Sequence, residues 1–154
     1  MLNLKYLSKL PLFLTTEVHQ TLIKVRFNEI DPYGHVNHSV YLHYFEEARV
    51  AAMDGVGQSI DVLLSQGFSI VVAQIETRFR APSYLSDQLL IESGISQIKR
   101  ASAVWLQRAS KDGSVIATQK TRVGCVGPDG NPCKFPEELS KAIQTVPVPA
   151  DWIC

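Results

Sequence analysis

The spacing of hydrophobic residues changes several times along the chain and predicts its elements in order. Residues 18–28 alternate, with Ile23, Val25 and Phe27 on one face, which predicts a half-buried β-strand. From about Ser39 to Met53 the apolar residues recur at helical spacing and predict one long amphipathic helix. The buried stripe of this helix comprises Tyr41, Tyr44, Phe45, Ala48, Ala51 and Ala52, whereas His43, Glu46, Glu47 and Arg49 lie off it.

The second half of the chain reads mainly as strands. Ser59 is expected to open a short helix, 60–65, that Gly67 closes, and the period then changes to two. Asp112-Gly113 predicts a tight hairpin, and Pro136 begins a short C-terminal helix at 136–145. The four predicted strands are 68–80, 88–98, 102–110 and 114–126.

One long helix beside a run of antiparallel strands indicates an α+β fold, with the sheet wrapped around the helix to cover its apolar stripe. At 154 residues the chain is expected to form a single domain over 1–154. Residues 1–17 are interpreted as an N-terminal arm, because Lys5, Lys9 and Pro11 interrupt the apolar run that a signal peptide would need.

Composition narrows the function classes. Fifteen basic and fifteen acidic residues cancel, which argues against nucleic acid as a partner. No apolar run is long enough to predict a membrane span. The three cysteines, Cys125, Cys133 and Cys154, are an odd number without a disulfide pattern, so reduced thiols and a cytoplasmic location are expected.

The most informative stretch is 31–49, which reads D-P-Y-G-H-V-N-H-S-V-Y-L-H-Y-F-E-E-A-R. It places Asp31 in a Pro/Gly turn that leads directly into the first turn of the long helix. A carboxylate can act as a base or a nucleophile, and free N–H groups at a helix start can polarise a carbonyl oxygen. The arrangement therefore suits carbonyl chemistry.

This stretch resembles the signature of the hotdog-fold acyl-CoA thioesterases of the 4-hydroxybenzoyl-CoA thioesterase family. Two later segments support the resemblance, R-F-R-A-P-S-Y-L-S-D and G-N-P-C-K-F-P-E-E-L, so that it covers about Thr21 to Leu139. It implies an antiparallel sheet of about five or six strands around one long central helix. It also implies hydrolysis of an acyl-CoA thioester, with coenzyme A as part of the substrate and no other cofactor, in a homodimer or homotetramer with active sites at the subunit interface.

Three residues are candidates for catalysis. Asp31 is expected to be the base or nucleophile, although Asp-Pro-Tyr-Gly would also make a good turn without any chemistry. His38, at the helix entrance, would orient the acid or protonate the leaving thiol, or would contribute only its backbone N–H. Glu46 matches the helix glutamate of the family, and the resemblance implies that it could be a second catalytic acid; its alternative is a helix-surface ion pair with Arg49 at i+3 that supports the loop or a dimer contact.

The remaining candidates would hold the substrate. Gly34 would let the backbone approach the ligand, His35 and Asn37 would shape the loop, Ser39 would offer its N–H, and Tyr41 would line an acyl pocket or pack in the core. Basic residues on strands or at strand ends form a candidate rim for the phosphates of coenzyme A. They are Arg78, Arg80, Lys99, Arg100, Arg122 and Lys134.

Other chemistries lack their signatures. There is no G-x-S-x-G elbow, Gly55-Val56-Gly57 lacks the third glycine of a dinucleotide site, and no zinc-ligand spacing is present, so no metal is expected. Two rivals stay open: an enoyl-CoA hydratase or dehydratase on the same fold, and a non-catalytic acyl-CoA-binding module. The sequence does not distinguish among acyl groups, nor between coenzyme A and an acyl carrier protein.

Overall fold

The computed structural model describes residues 18–152, so the N-terminal arm predicted over 1–17 and Cys154 lie outside the described residues. Five antiparallel strands form one sheet in the order β1-β3-β4-β5-β2. Their bounds are β1 His19–Lys24, β2 Ser69–Phe79, β3 Gln88–Ser96, β4 Ser102–Lys111 and β5 Ser114–Val126. Both edge strands, β1 and β2, thus leave one row of backbone groups without a strand partner within residues 18–152.

Three helices accompany the sheet, and all three predicted helices are confirmed with small shifts in their ends. They are α1 Val40–Gly55, α2 Ile60–Ser65 and α3 Glu137–Ile143. Ser59 caps α2 by accepting a hydrogen bond from the Val62 N–H at 3.3 Å, as its position predicted. The Asp112-Gly113 hairpin is also confirmed, and both residues have the positive φ that a type I′ turn requires.

The first strand is shorter than its alternation predicted. Ile23 and Val25 are buried, but Phe27 is 82% exposed and lies in a 3₁₀ turn, Phe27–Glu29. The pairing with β3 ends at Lys24, and the Glu29 carboxylate accepts a hydrogen bond from the Arg26 N–H at 2.6 Å across the 3₁₀ turn that follows. The prediction that Phe27 faces the core was therefore wrong.

The apolar stripe of α1 packs on the sheet in two separate clusters. One cluster surrounds Phe45 and Ala48, and the other surrounds Ala52 and Trp105. Of the stripe predicted from the sequence, only Ala51 stays half-buried rather than buried.

A row of polar side chains crosses the sheet between the two clusters. Ser93, Gln107, Gln119 and Thr77 are direct neighbours on β3, β4, β5 and β2, and we call them the polar row. Gln107 Nε2 donates to Ser93 Oγ at 2.8 Å, and Gln119 Nε2 donates to Thr77 Oγ1 at 2.9 Å. Each glutamine thereby presents its carbonyl oxygen to the helix above.

Arg49 of α1 lies over the polar row and is only 8% exposed. Its Nη1 donates to Gln107 Oε1 at 2.9 Å and to Gln119 Oε1 at 3.0 Å. The predicted surface ion pair with Glu46 is wrong, since no oxygen of Glu46 approaches the guanidinium within salt-bridge distance and Arg49 faces inward. Helical periodicity placed Arg49 off the apolar stripe because it counts only apolar residues as buried.

No helix within residues 18–152 combines the length and apolar character that crossing a membrane requires.

We expect Gln107→Met to lower the free energy of unfolding by about 1–3 kcal/mol, because it removes one hydrogen-bond partner each from Arg49, Ser93 and the Phe45 carbonyl in the buried core. Urea denaturation at fixed protein concentration measures the change. The matched control is Gln88→Met at an exposed position of β3, which should shift stability by less than about 0.5 kcal/mol. Equal effects of the two substitutions would contradict this account.

Candidate active site

Asp31 lies in a tight loop that the backbone itself closes. The Asp31 N–H donates to the His35 carbonyl at 2.9 Å, and the Gly34 N–H returns a bond to the Asp31 carbonyl at 3.0 Å. Gly34 has φ +85°, a conformation that L side chains rarely adopt, while a Cβ there would meet no atom within 4 Å. The turn conformation therefore accounts for the glycine. Close packing against a neighbouring atom of the protein does not.

The Asp31 side chain is 10% exposed, and its two oxygens differ in their partners. Its Oδ1 accepts a hydrogen bond from the Tyr33 N–H at 2.9 Å, and its Oδ2 lies 3.5 Å from His35 Nδ1. Oδ2 therefore keeps lone pairs for another group. A carboxylate that is fixed on one side and available on the other suits a base or nucleophile.

Hydrogen bonds that involve Glu29, Ser83 and two tyrosines of α1 hold this loop against the rest of the fold. Glu29, two residues before Asp31, is buried, and its Oε2 accepts from Tyr44 Oη of α1 at 2.6 Å. Its carbonyl also accepts the Asn37 N–H at 2.9 Å. On the other side, the Val36 N–H donates to the Ser83 carbonyl at 2.9 Å, and Ser83 Oγ shares a 2.6 Å hydrogen bond with Tyr41 Oη.

The sequence patterns did not identify Glu29, Ser83 and Tyr44 as residues that hold the loop, although Glu29 and Ser83 carry weak signals. Glu29 stands three residues after Arg26 and caps its N–H, and Ser83 lies inside the R-F-R-A-P-S-Y-L-S-D segment. Nothing in the spacing of Tyr44 separates an anchoring hydroxyl from an ordinary core ring. The pKa of Tyr44 is raised far above its ordinary value, by burial first and then by the hydrogen bond and charge of Glu29.

The backbone donors at the start of α1 differ in whether they already have a partner. Asn37 Oδ1 accepts the Ser39 N–H at 2.9 Å and the Ser39 hydroxyl at 2.8 Å, so Asn37 caps the helix. This corrects the expectation that the Ser39 N–H is available to a ligand. The His38 N–H, by contrast, forms no hydrogen bond within residues 18–152. It is therefore a candidate to receive a developing oxyanion.

Asp31, His35, His38 and Arg80 all line one cleft of about 400 Å³, which we call the Asp31 cleft. Tyr41 is part of its wall, but its ring is 3% exposed and packs edge-on against Phe79, so it fills the core as well. The structure thus brings two of the three predicted catalytic residues into a single concave site.

Glu46 lies elsewhere, in a second cleft of about 330 Å³ that we call the Arg49 cleft. The second half of α1, the α2 helix, the start of β2 and Trp105 form its walls, which are mostly apolar. Glu46 and Arg49 are its charged lining residues. Burial lowers the pKa of Arg49 and the nearby charge of Glu46 partly offsets this; a guanidinium nevertheless stays protonated in proteins.

The six basic residues predicted to hold phosphates fall into two groups in one chain. Arg78 and Arg80 are exposed near the Asp31 cleft, and Arg78 is paired with Glu76 at 2.9 Å. Lys99, Arg100 and Lys134 are exposed around the β3–β4 turn, roughly 30 Å away along β5, with Arg122 nearer to them. A single chain therefore does not gather them into one rim.

Within residues 18–152, no group of three or more His, Cys, Asp and Glu side chains is arranged to hold a metal ion.

Comparison with known proteins identifies the class. The sequence profile of the Thioesterase-like superfamily matches residues 25–143, and the chain belongs to this family. Among curated relatives, the long-chain acyl-CoA thioesterase FadM of Escherichia coli is 33% identical over 70% of this chain and 82% of its own. The acyl-CoA thioesterase YbgC of Haemophilus influenzae is 28% identical over 78% of this chain and 90% of its own.

A solved structure shares the fold of this chain. The hypothetical protein TT1821 from Thermus thermophilus superposes with a TM-score of 0.80 at 26% identity, over 83% of this chain and 98% of that one. The predicted hotdog fold, an antiparallel sheet around one long helix, is confirmed, with five strands in the part of the chain that the structure describes.

We expect stability to fall above pH 10, because the unfolded chain then releases the Tyr44 proton that the folded chain retains. Each retained proton contributes a slope of about 1.4 kcal/mol per pH unit. Tyr44→Phe should therefore reduce the slope by up to that amount and should lower stability at pH 7, since Glu29 loses a donor. Urea denaturation at pH 7 and from about pH 9.5 to 11 measures both, with Tyr33→Phe, 85% exposed, as the control. An unchanged slope in Tyr44→Phe would refute the assignment.

Proposed function

We propose that this protein hydrolyses the thioester bond of an acyl-CoA in the Asp31 cleft, with Asp31 as the catalytic carboxylate. Hydrolysis of an acyl thioester is the activity of its family relatives FadM and YbgC, as their names state. The observation that carries the residue assignment is the available Oδ2 of Asp31 in a cleft shared with the free His38 N–H.

The chemistry follows from these groups. Asp31 Oδ2 takes a proton from a water molecule whose oxygen attacks the thioester carbon, or it attacks that carbon itself and water then resolves the anhydride. In both routes the carbonyl oxygen becomes negative opposite the His38 N–H and the start of α1. The C–S bond then breaks, which gives the free acid in the first route and the mixed anhydride that water hydrolyses in the second, and the thiolate is protonated by His38 or by solvent.

A second protomer would complete the site, and β2 is the surface that supports this proposal. It is an edge strand of eleven residues with large apolar side chains exposed, among them Val71, Val72, Ile75 and Phe79. Unpaired backbone groups beside exposed apolar side chains favour pairing with another strand. A symmetric partner would place its own β2 antiparallel to this one.

Such pairing would join the two clefts. The end of β2 at Phe79 borders the Asp31 cleft, and its start, from Ser69 to Val72, borders the Arg49 cleft. In an antiparallel pair the end of one strand lies beside the start of the other, so the Asp31 cleft of one protomer faces the Arg49 cleft of its partner. The same pairing would bring Arg80 toward the partner's basic group at the β3–β4 turn, where coenzyme A phosphates would bind.

In this arrangement Glu46 lies at the interface and not beside the Asp31 of its own chain. A role for Glu46 in orienting water across the interface is part of this proposal. A cytoplasmic location is also proposed, supported by the free thiols of Cys125 and Cys133, since Cys133 Sγ donates a hydrogen bond to Cys125 Sγ at 3.5 Å and the two form no disulfide.

We expect Asp31→Asn to lower kcat at least about a hundredfold, because the amide keeps the shape of the side chain but is neither a base nor a nucleophile. The KM and the binding of coenzyme A should stay within severalfold of wild type. Thiol release from a panel of acyl-CoA thioesters, followed with a chromogenic disulfide, measures both parameters. The matched control is Asp54→Asn, an exposed acid at the end of α1.

Wild-type turnover by Asp31→Asn would overturn the assignment. Hydration of an enoyl-CoA without release of thiol would instead establish the hydratase alternative.

We expect Ile75→Lys to convert the protein to monomers and to abolish hydrolysis, because two lysines would meet near the centre of the paired β2 strands. Light scattering after size-exclusion chromatography measures the mass. Leu22→Lys, at a 73% exposed apolar position of the other edge strand, is the control and should keep both mass and activity. A fully active monomer would contradict the shared site.

A further inference from the structure

The Arg49 cleft contains a buried positive charge that no acidic group neutralises at contact distance. The contacts that hold Arg49 are neutral: two glutamine carbonyls and, at 3.5 Å, the hydroxyl of Thr121. All three contacts use Nη1. Within residues 18–152, Nε and Nη2 donate no hydrogen bond, although the side chain is more than nine-tenths buried.

Nε and Nη2 of this guanidinium are not fully enclosed by protein, and the open space beside Arg49 is the cleft. Arg49 belongs to the lining, together with apolar residues such as Val50, Met53, Leu64 and Trp105. An apolar cavity that carries one fixed donor group binds an apolar ligand and selects the position of one acceptor on it. Leaving such donors unpaired when a ligand displaces water costs free energy, so the cavity discriminates against a ligand without the acceptor.

The charge of Glu46 decides which acceptor fits. Glu46 lies on the same cleft, exposed, three residues before Arg49, and its charge supports the guanidinium. An anionic ligand group would be attracted by Arg49 but repelled by Glu46. A neutral oxygen meets the free donors of Arg49 without that repulsion, so a hydroxyl or a ketone suits the cleft better than a carboxylate.

We propose that the Arg49 cleft receives the acyl group of the substrate and that Arg49 is a specificity-determining residue, selecting acyl groups that carry a hydroxyl or keto oxygen on an otherwise apolar skeleton. This inference rests on the proposed function for the identity of the ligand. It deepens that function by naming the substrate class, which neither the motif nor the Asp31 cleft defines.

The test measures binding and not turnover, so that its result is independent of whether Asp31 is catalytic. Thioethers of coenzyme A have no thioester carbonyl, so a thioesterase does not hydrolyse them. Two matched pairs differ only by one hydroxyl: S-octyl-CoA with S-(8-hydroxyoctyl)-CoA, and S-benzyl-CoA with S-(4-hydroxybenzyl)-CoA. Calorimetric titration of the wild-type protein should show at least about tenfold tighter binding of the hydroxylated member in at least one pair.

Arg49→Met should reduce that ratio to about one while leaving the affinity for coenzyme A itself unchanged. Because this substitution also removes the partner of Gln107 and Gln119, a second variant keeps the test decisive if Arg49→Met does not fold. Val50→Trp fills the cleft from α1 without touching the polar row, and it should weaken both members of the pair at least about tenfold.

Three outcomes would overturn the proposal. They are equal affinity of the wild-type protein within both pairs, a ratio that survives in folded Arg49→Met, and unchanged affinities in Val50→Trp. If the pairs are discriminated as expected but no thioester is hydrolysed, the specificity site stands and the proposed hydrolase function fails. If thioesters are hydrolysed without discrimination, the reverse holds.

Discussion

The hydrogen bonds between Arg49 and the polar row fix where the long helix lies on the sheet. Apolar packing alone tolerates small slides of a helix, because one apolar neighbour can take the place of another. A buried guanidinium does not tolerate them: a slide by one turn, about 5.4 Å, would remove Nη1 from both glutamine carbonyls and leave a charge without partners. The polar row therefore sets the height of α1, and through it the position of the loop that precedes α1.

That position matters because the loop carries Asp31. The Tyr44 and Tyr41 hydroxyls project from the first turns of α1 and bind Glu29 and Ser83, one on each side of the loop. A shift of α1 would thus move the loop with it, away from the end of β2 that forms the opposite wall of the cleft. The carboxylate is held in place before any ligand arrives, which is the property that electrostatic catalysis requires.

Periodicity predicted the elements of this fold well because the pattern of burial is regular along most of the chain. It was wrong at Phe27, where a three-residue contact between Glu29 and Arg26 overrides alternation, and at Arg49, where the core accepts a charge. Both errors have the same cause. In both cases a hydrogen bond between polar groups overrides the burial expected from residue type. A partner such as Gln107, which is separated from Arg49 by 58 residues, leaves no signal in the local sequence.

The candidate site could be predicted only in part for a related reason. Asp31 and His38 are neighbours in sequence, so one motif predicts their proximity, and the structure places them in one cleft. Glu46 belongs to the same motif but lies on the other cleft, because a helix carries residues in the second half of the motif away from its start at about 1.5 Å per residue. A motif contiguous in sequence thus serves two clefts at opposite ends of β2, and only an arrangement that pairs two chains would let all of its residues act on one substrate. The proposed dimer would link the edge strand, the split basic residues and the divided motif, because the same antiparallel pairing of β2 would bring the parts of each together.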